Sequence, residues 1–438
     1  MRDDRRGLSV GTILTLLLTA AVVAGCVVVF AKIQSGTPDA QMGAQKVIGL
    51  VGDALQGTTP VPVPQSTVRT VTVTLAPAPE VTAVPHTATV APALNGQPRS
   101  STFTLTIGGL LSFESEISDS VYNKTNKSFD YTAILAPIRP KVDSDLSLVM
   151  LPQVINVADQ KYADALVPAA AVDGLKAAGF DDVLLNTSHI LDQGIQGVNN
   201  TVGALAGRGM TCVGVMAGSA RQHQIIPLNG AKIALLCYTD ALTAKGKIAW
   251  ETQPDVMQLF SLEQAEKDIA SMKAQGADCV IVSLYWAKAD TTSVTTAMKN
   301  TAYALAEAGA DVILGNHPSR ILPMETVSVP DENGIQRQCL IVYSMGTLLT
   351  ESREGYDISG MLLHLKITCE KSMVNFDAIE YTPTYIWRRN VNGKMQYRVV
   401  CSSETVPADM DGKQQEIMAR ALIRVKNALK DGPAQLRQ

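Results

Sequence analysis

Three stretches of this chain repeat one design, and that repeat limits the fold more than any other feature. Each runs as a helix, a glycine, an aspartate and then an unbroken apolar run that ends in polar residues. The first spans 175–185 around Gly179 and is followed by Asn186, Thr187, Ser188 and His189. The second spans 272–282 around Gly276 and is followed by Ser283, Leu284, Tyr285 and Trp286. The third spans 305–314 around Gly309 and is followed by Gly315, Asn316, His317 and Pro318. A glycine at that place takes the left-handed conformation that stops a helix. An apolar run without alternation is a strand covered on both faces. Such units build a mostly parallel sheet with helices outside it. Ligands of such sheets bind beyond the carboxyl ends of the strands. The three polar clusters are therefore expected on one rim.

Other runs fit around the repeat. Residues 103–107 open the domain as a strand that ends at Gly108-Gly109, and 146–151 and 232–238 add two more. Residues 324–329 and 336–343 flank Asp331-Glu332-Asn333-Gly334, a hairpin signature. Residues 360–368 and 374–381 read as further antiparallel strands, and 414–429 as a closing helix. The expected domain is 101–385, with a C-terminal extension and helix over 386–438.

The amino-terminal quarter has a different character. Residues 8–31 carry no charge. A helix of about 24 residues at ~1.5 Å each reaches roughly 36 Å, enough for a hydrocarbon core of about 30 Å. Arg2, Arg5 and Arg6 precede it, so residues 1–7 are expected in the cytoplasm and the remainder outside. A cleaved signal peptide is an alternative, although its apolar region would be shorter. Val23-Ala24-Gly25-Cys26 also has the form of a lipoprotein cleavage box, but Val27 to Phe30 continue the apolar run. Residues 32–100 are expected to be an extracytoplasmic stalk. It begins with a short helix over 32–56 and continues as an extended spacer with prolines at 60, 62, 64, 77, 79, 85, 92 and 98.

The net charge of -4 and the charged fraction of 18% give no basic field for a nucleic acid, so no such partner is expected. The seven cysteines show no zinc-type pairing and no readable disulfide framework. Cys237 and Cys279 lie within apolar runs, as buried thiols do.

Seven landmarks in order carry a resemblance. They are Ala178-Gly-Phe-Asp-Asp-Val183, His189-Ile-Leu-Asp-Gln-Gly194, Asn200-Thr-Val-Gly-Ala-Leu205 and Ala231-Lys-Ile-Ala234. Then follow Val280-Ile-Val-Ser-Leu-Tyr-Trp286, Gly309-Ala-Asp-Val-Ile-Leu-Gly-Asn-His-Pro318 and Val342-Tyr-Ser-Met-Gly346. Over about 102–400 the chain resembles the CapA family of poly-γ-glutamate capsule synthesis proteins. The resemblance implies an α/β, metallophosphatase-like mixed-sheet sandwich with flanking helices, here preceded by one transmembrane helix.

The departures from the family pattern bear on chemistry. The first strand of the family ends in Gly-Asp, whose carboxylate is a metal-ligand candidate; here the pair is Gly108-Gly109. Asn-Leu-Glu becomes Met150-Leu151-Pro152, and Asn-Asn-His becomes Thr187-Ser188-His189. His-Trp-Gly becomes Tyr285-Trp286-Ala287, and His-His-Pro-His becomes Asn316-His317-Pro318-Ser319. Thr347 replaces an Asn. A two-metal site needs a bridging carboxylate and several imidazoles or other hard ligands. The side chains of Gly109, Met150 and Pro152 supply none.

His189, Asp192 and His317 remain as a residual catalytic rim. Asn186, Ser188, Tyr285, Trp286, Asn316 and Ser319 are the candidate binding residues around them. Blander roles stand beside these. His189 and Asp192 would brace their loop, His317 would pack in a turn before Pro318, and Trp286 would line core or pocket. His364 reads as structural or surface, His86 and His223 have no companions at metal spacing, and Ser344 has no assignable base.

The resemblance implies a part in capsule or envelope polymer biosynthesis or handling at the bacterial cell membrane. Ligand counting adds the expectation of a metallophosphatase-like pseudoenzyme with no metal and no cofactor. The expected partners are the membrane through 8–31 and an anionic or peptide-like envelope polymer. The alternative is an active metal-dependent hydrolase or amide-processing enzyme built around a single divalent ion, with Asp192 orienting an imidazole.

Overall fold

Apolar strands with two covered faces require two layers against them, and the chain supplies those layers as a second sheet on one side and helices on the other. The computed structural model describes residues 100–437, apart from 157–165, 287–290, 332, 354 and 371–372. The expected membrane helix at 8–31, the stalk up to residue 99 and His86 lie outside the described residues. Within the described residues no helix is long and apolar enough to cross a membrane.

The first strands are β1 (Ser100–Leu111), β2 (Leu146–Met150), β3 (Asp182–Leu184) and β4 (Thr211–Val213). Next come β5 (His223–Leu228), β6 (Ala231–Thr239), β7 (Cys279–Tyr285), β8 (Val312–Asn316), β9 (Ile321–Pro330) and β10 (Gln336–Met345). The chain then adds β11 (Thr347–Leu349), β12 (Ser359–Glu370), β13 (Met373–Val391), β14 (Lys394–Cys401) and β15 (Gln435–Leu436).

One sheet has the order β14-β13-β12-β1-β2-β3-β4, with β11 beside β1 and β15 beside β13. Its β1 to β4 run parallel, whereas β12, β13 and β14 join antiparallel. The other sheet has the order β9-β10-β8-β7-β6-β5. Its four central strands are parallel and its two edges antiparallel. The architecture is thus a mixed-sheet α/β sandwich, as expected.

The two sheets close on one apolar layer. Leu148 and Leu184 meet Leu235, Ile281 and Leu314 there, all fully or almost fully buried. Successive residues of a strand point to opposite faces, so Val280, Val282 and Ile313 face outward. They pack under Ile269 of the helix Leu262–Ala274 and Leu305 of the helix Thr296–Ala308. The helices Ala170–Ala177 and Gly194–Ala206 cover the outer face of the first sheet through Leu175, Val198 and Leu205.

The repeat has a structural reason. Gly179, Gly276 and Gly309 carry φ of 95°, 86° and 117°. The aspartate of each repeat exchanges two bonds with a neighbouring strand. Asp181 donates its N–H to Ser147 O at 2.9 Å and accepts the Ser147 N–H on its carboxylate at 2.8 Å. Asp278 does the same with Lys232, and Asp311 with Val280. Each aspartate therefore sets the register of its own strand against a neighbour.

The segment expected as a C-terminal extension, 386–438, is continuous with the first sheet. The boundary placed at 385 falls inside β13, and β14 pairs with β13 along its length. The helix Gly412–Leu429 packs Met418 and Ala421 against Tyr385 and Trp387.

Candidate functional site

The parallel strands β3, β7 and β8 end at one side of the sandwich, and a buried polar knot ties those ends together. The Asn186 side-chain nitrogen donates to Tyr238 O at 2.9 Å and Ser283 O at 3.0 Å. Asn316 reaches Ser283 Oγ at 3.4 Å. An asparagine amide has two hydrogens to give, and Asn186 uses both to join β3 of one sheet to β6 and β7 of the other. Asn186 and Asn316 are 0% and 1% exposed. The sequence marks them as ligand-facing; the structure turns both inward, Asn186 to carbonyls of the other sheet and Asn316 to the Ser283 hydroxyl of its own sheet.

Outside this knot lies a second layer. His189 is the most open member, with its side chain 48% exposed, and its Nδ1 lies 2.7 Å from Asp192 Oδ2. The other Asp192 oxygen accepts the Thr243 hydroxyl. Thr243 also accepts the Gly246 N–H at 3.0 Å, capping the helix Ala244–Thr252. The Thr243 N–H in turn donates to Ser188 O at 3.1 Å. The bracing role weighed for His189 and Asp192 is visible here as a clamp on the segment that follows β6.

Ser188 donates its hydroxyl to Tyr285 Oη at 3.3 Å. Tyr285 stacks on the His317 ring, with centroids 4.8 Å apart and planes 16° from parallel. His317 Nδ1 lies 3.0 Å from Trp286 O, and the indole N–H of Trp286 donates to Tyr343 O at 2.9 Å. Trp286 is thus a buried core residue whose donor is used. Ser188 and His317 are half-buried on either side of the buried Tyr285, beside the His189 clamp.

The positions where the resembling family carries metal-ligand candidates can be tested for room. A Cβ on Gly109 would lie 2.3 Å from Gly346 O, far inside van der Waals contact. β1 shifts register against β2 between Gly108 and Leu110, and Leu110 donates its N–H to that same oxygen at 3.2 Å. Met150 is wholly buried between the sheets. Pro152 O accepts the Thr187 hydroxyl, and Thr347 donates its hydroxyl to Ser319 O at 2.9 Å. Among the described residues, no group of three or more His, Cys, Asp or Glu side chains converges at metal-holding geometry.

Two acidic features escape a reading of the linear sequence. At the ends of β1 and β11, Glu114 accepts the Glu351 N–H at 2.8 Å and the Thr350 hydroxyl at 2.9 Å. Glu351 accepts the Glu116 N–H at 2.7 Å. Burial pushes the Glu114 carboxyl up to about 7, against the pull of those donors. His223, which has no companion in the linear sequence, finds one in space. Its Nδ1 accepts the Cys237 N–H at 3.2 Å, and its other nitrogen is 3.3 Å from Asp268 without hydrogen-bond alignment. Asp268 also accepts the Tyr238 hydroxyl at 2.9 Å. Partners 237 and 45 positions apart, Glu114 with Glu351 and His223 with Asp268, cannot be paired from spacing alone.

A family profile described as "Bacterial capsule synthesis protein PGA_cap" matches residues 104–352, more than half of the chain. The chain belongs to that family. Among similar proteins of the PGA_cap kind is the capsule biosynthesis protein CapA of Bacillus anthracis. It is 28% identical over 183 residues, covering 41% of this chain and 42% of that protein. The PGA biosynthesis protein CapA of Bacillus subtilis is 25% identical over 268 residues, covering 59% and 60%. This PGA_cap chain therefore spans about half of the length of the relatives it matches. Among solved structures, the NAD nucleotidase of Haemophilus influenzae aligns with a TM-score of 0.41 at 13% identity. That alignment covers 77% of this chain and 57% of that one.

Proposed function

We propose that this PGA_cap protein handles a poly-γ-glutamate-type capsule or envelope polymer, and that it does so without metal-dependent chemistry. Family membership supports the capsule role. The crowding at Gly109 carries the second half: the carbonyl of Gly346 fills the space that a bridging carboxylate would need. With that ligand gone and Met150 and Pro152 at the next position, too few hard donors remain for two dications about 3.5–4 Å apart.

In this reading the protein is held at the bacterial cell membrane by 8–31, with 1–7 in the cytoplasm and the sandwich outside. The half-buried Ser188 and His317 and the exposed His189 then face the polymer side. Metal analysis of the purified full chain tests the chemistry. Fewer than about 0.1 Mn, Fe or Zn per chain is expected, with no hydrolysis of phosphodiester or γ-glutamyl probes. Stoichiometric tight metal would overturn it. Loss of surface polymer on deleting the gene, restored by the intact chain, tests the capsule role.

One observation favours a second reading, an amide-processing hydrolase around a single ion. His189 is half-exposed and oriented through Nδ1 by Asp192, as a working imidazole is. That reading requires γ-glutamyl hydrolysis that disappears in His189→Ala.

A further inference from the structure

The rim leaves unused a second concavity, a cleft of about 1020 Å³ bordered by β9, the helix Gly412–Leu429 and Tyr356. Ligand sites commonly enclose about 300–1,000 Å³, so this one has room for several residues of a flexible chain. Tyr356 is 54% exposed, and two guanidiniums share its ring. The central carbon of Arg320 lies 4.4 Å from the ring centroid and that of Arg424 lies 5.4 Å from it. Lys299 brings a third cation to the same cleft.

The two arginines differ in how they are held. Arg424 donates to Gly355 O. Arg320 has no hydrogen bond or ion pair among the described residues; the ring contact is what positions it. A guanidinium held by a ring contact alone keeps its N–H groups free, and these match a carboxylate or phosphate with two parallel bonds.

Two acids also line the cleft, and neither forms an ion pair with Arg320 or Arg424 among the described residues. Glu325 accepts the hydroxyls of Tyr303 at 3.2 Å and Tyr343 at 2.7 Å. Asp431 lies on the surface 4.0 Å from Lys430. Among the described residues Arg320, Arg424 and Lys299 outnumber the two acids of the cleft, and a bound anion offsets that excess of positive charge. The floor is aliphatic, made by Leu322, Met324 and Val425. Cations above an apolar floor suit a ligand whose anionic groups are separated by methylenes, more than a continuous phosphate chain.

We propose that this cleft binds the carboxylates of an acidic chain with aliphatic spacers, of the γ-linked glutamate type, and that Arg320 is its principal anion-binding residue. The inference rests on the polymer-handling reading for its ligand and adds a place apart from the rim. Arg320 is three positions beyond His317, and the Ser319 carbonyl between them is held by Thr347. A chain seated in the cleft would therefore lead toward the rim.

The test is equilibrium binding of a fluorescent γ-linked glutamate decamer to the full chain in detergent, beside a polyphosphate of equal charge. Binding that weakens with salt, falls at least tenfold in Arg320→Glu, falls less in Arg320→Lys, which keeps the charge but not the two parallel bonds, and survives in Lys366→Gln on the far sheet supports the cleft. Arg320 makes no bond to lose, so its variants should fold; an unchanged melting temperature checks this. Decamer binding unaffected by Arg320→Glu and Arg424→Gln overturns the cleft and leaves the polymer reading standing. Polyphosphate binding tighter than decamer binding, with the same Arg320 dependence, overturns the carboxylate assignment. Binding of neither probe overturns the inference, and the gene-deletion assay then judges the polymer reading separately.

Discussion

The carbonyl oxygen of Gly346 occupies the space that a side chain on Gly109 would need, 2.3 Å from where its Cβ would sit. That oxygen also accepts the Leu110 N–H, so it cannot swing away without losing a strand contact. Restoring an acid by Gly109→Asp should therefore cost stability, by about 2–3 kcal/mol as overpacking in tight sites does. Urea denaturation measures the loss, and the variant should gain no bound metal. A Gly109→Asp protein as stable as the parent and loaded with manganese would show that the site was one substitution from working.

The repeat aspartates differ in burial, and their substitutions should differ accordingly. Asp311 is buried, accepts the Val280 N–H and lies 3.4 Å from the equally buried Arg337. Removing it in Asp311→Ala leaves an uncompensated buried cation and an orphaned N–H, an effect of about 3–5 kcal/mol. Asp278 makes the equivalent bond to Lys232 nearer the surface, and Asp278→Ala should cost about 1 kcal/mol. Equal losses in the two variants would contradict this account of the repeat.

Asp192 holds two partners, His189 on one oxygen and Thr243 on the other. Asp192→Ala should release the helix Ala244–Thr252 before it disturbs the core. Faster amide exchange and proteolysis over 240–256 are expected, with about 1–2 kcal/mol of lost stability. Unchanged exchange there would mean that the clamp is not what orders this segment.

His364 gives the protein a pH dependence. Burial, and then the Arg437 and Lys141 charges, hold its imidazole down at about 3, against 6.5 when free. Arg437 can only donate, so Nδ1 is an acceptor and Nε2 donates to Thr382 Oγ1 at 2.9 Å. The folded state excludes a proton that the unfolded state accepts. Stability from this site is therefore complete above about 6.5 and lost as pH falls toward 3. At 1.36 kcal/mol per unit the ceiling is about 5 kcal/mol. Melting between pH 7 and pH 4 should fall less steeply in His364→Gln than in the parent.

Much of the fold can be read from residue order because it depends on local rules. Helix-stopping glycines, unalternated apolar runs and the Asp331–Gly334 turn foretell the parallel centre and the β9–β10 hairpin, and the structure has both. β5 and β14 are harder to see. They are edge strands with mixed burial, so their sequences carry no strong period.

The rim divides in the same way. That polar residues gather after β3, β7 and β8 follows from sequence, because strand polarity sends them to one side. Which of them face outward does not follow. Asn186 turns inward because the second sheet brings carbonyls within reach of its amide, and Asn316 because Ser283 lies beside it, while His189 stays open beside Asp192. The filled space at Gly109, the glutamates at 114 and 351, and the arginines around Tyr356 join residues up to 237 positions apart. Neighbours along the chain fix secondary structure and strand order; contacts between distant segments decide which side chains are used up inside and which are left to meet a ligand.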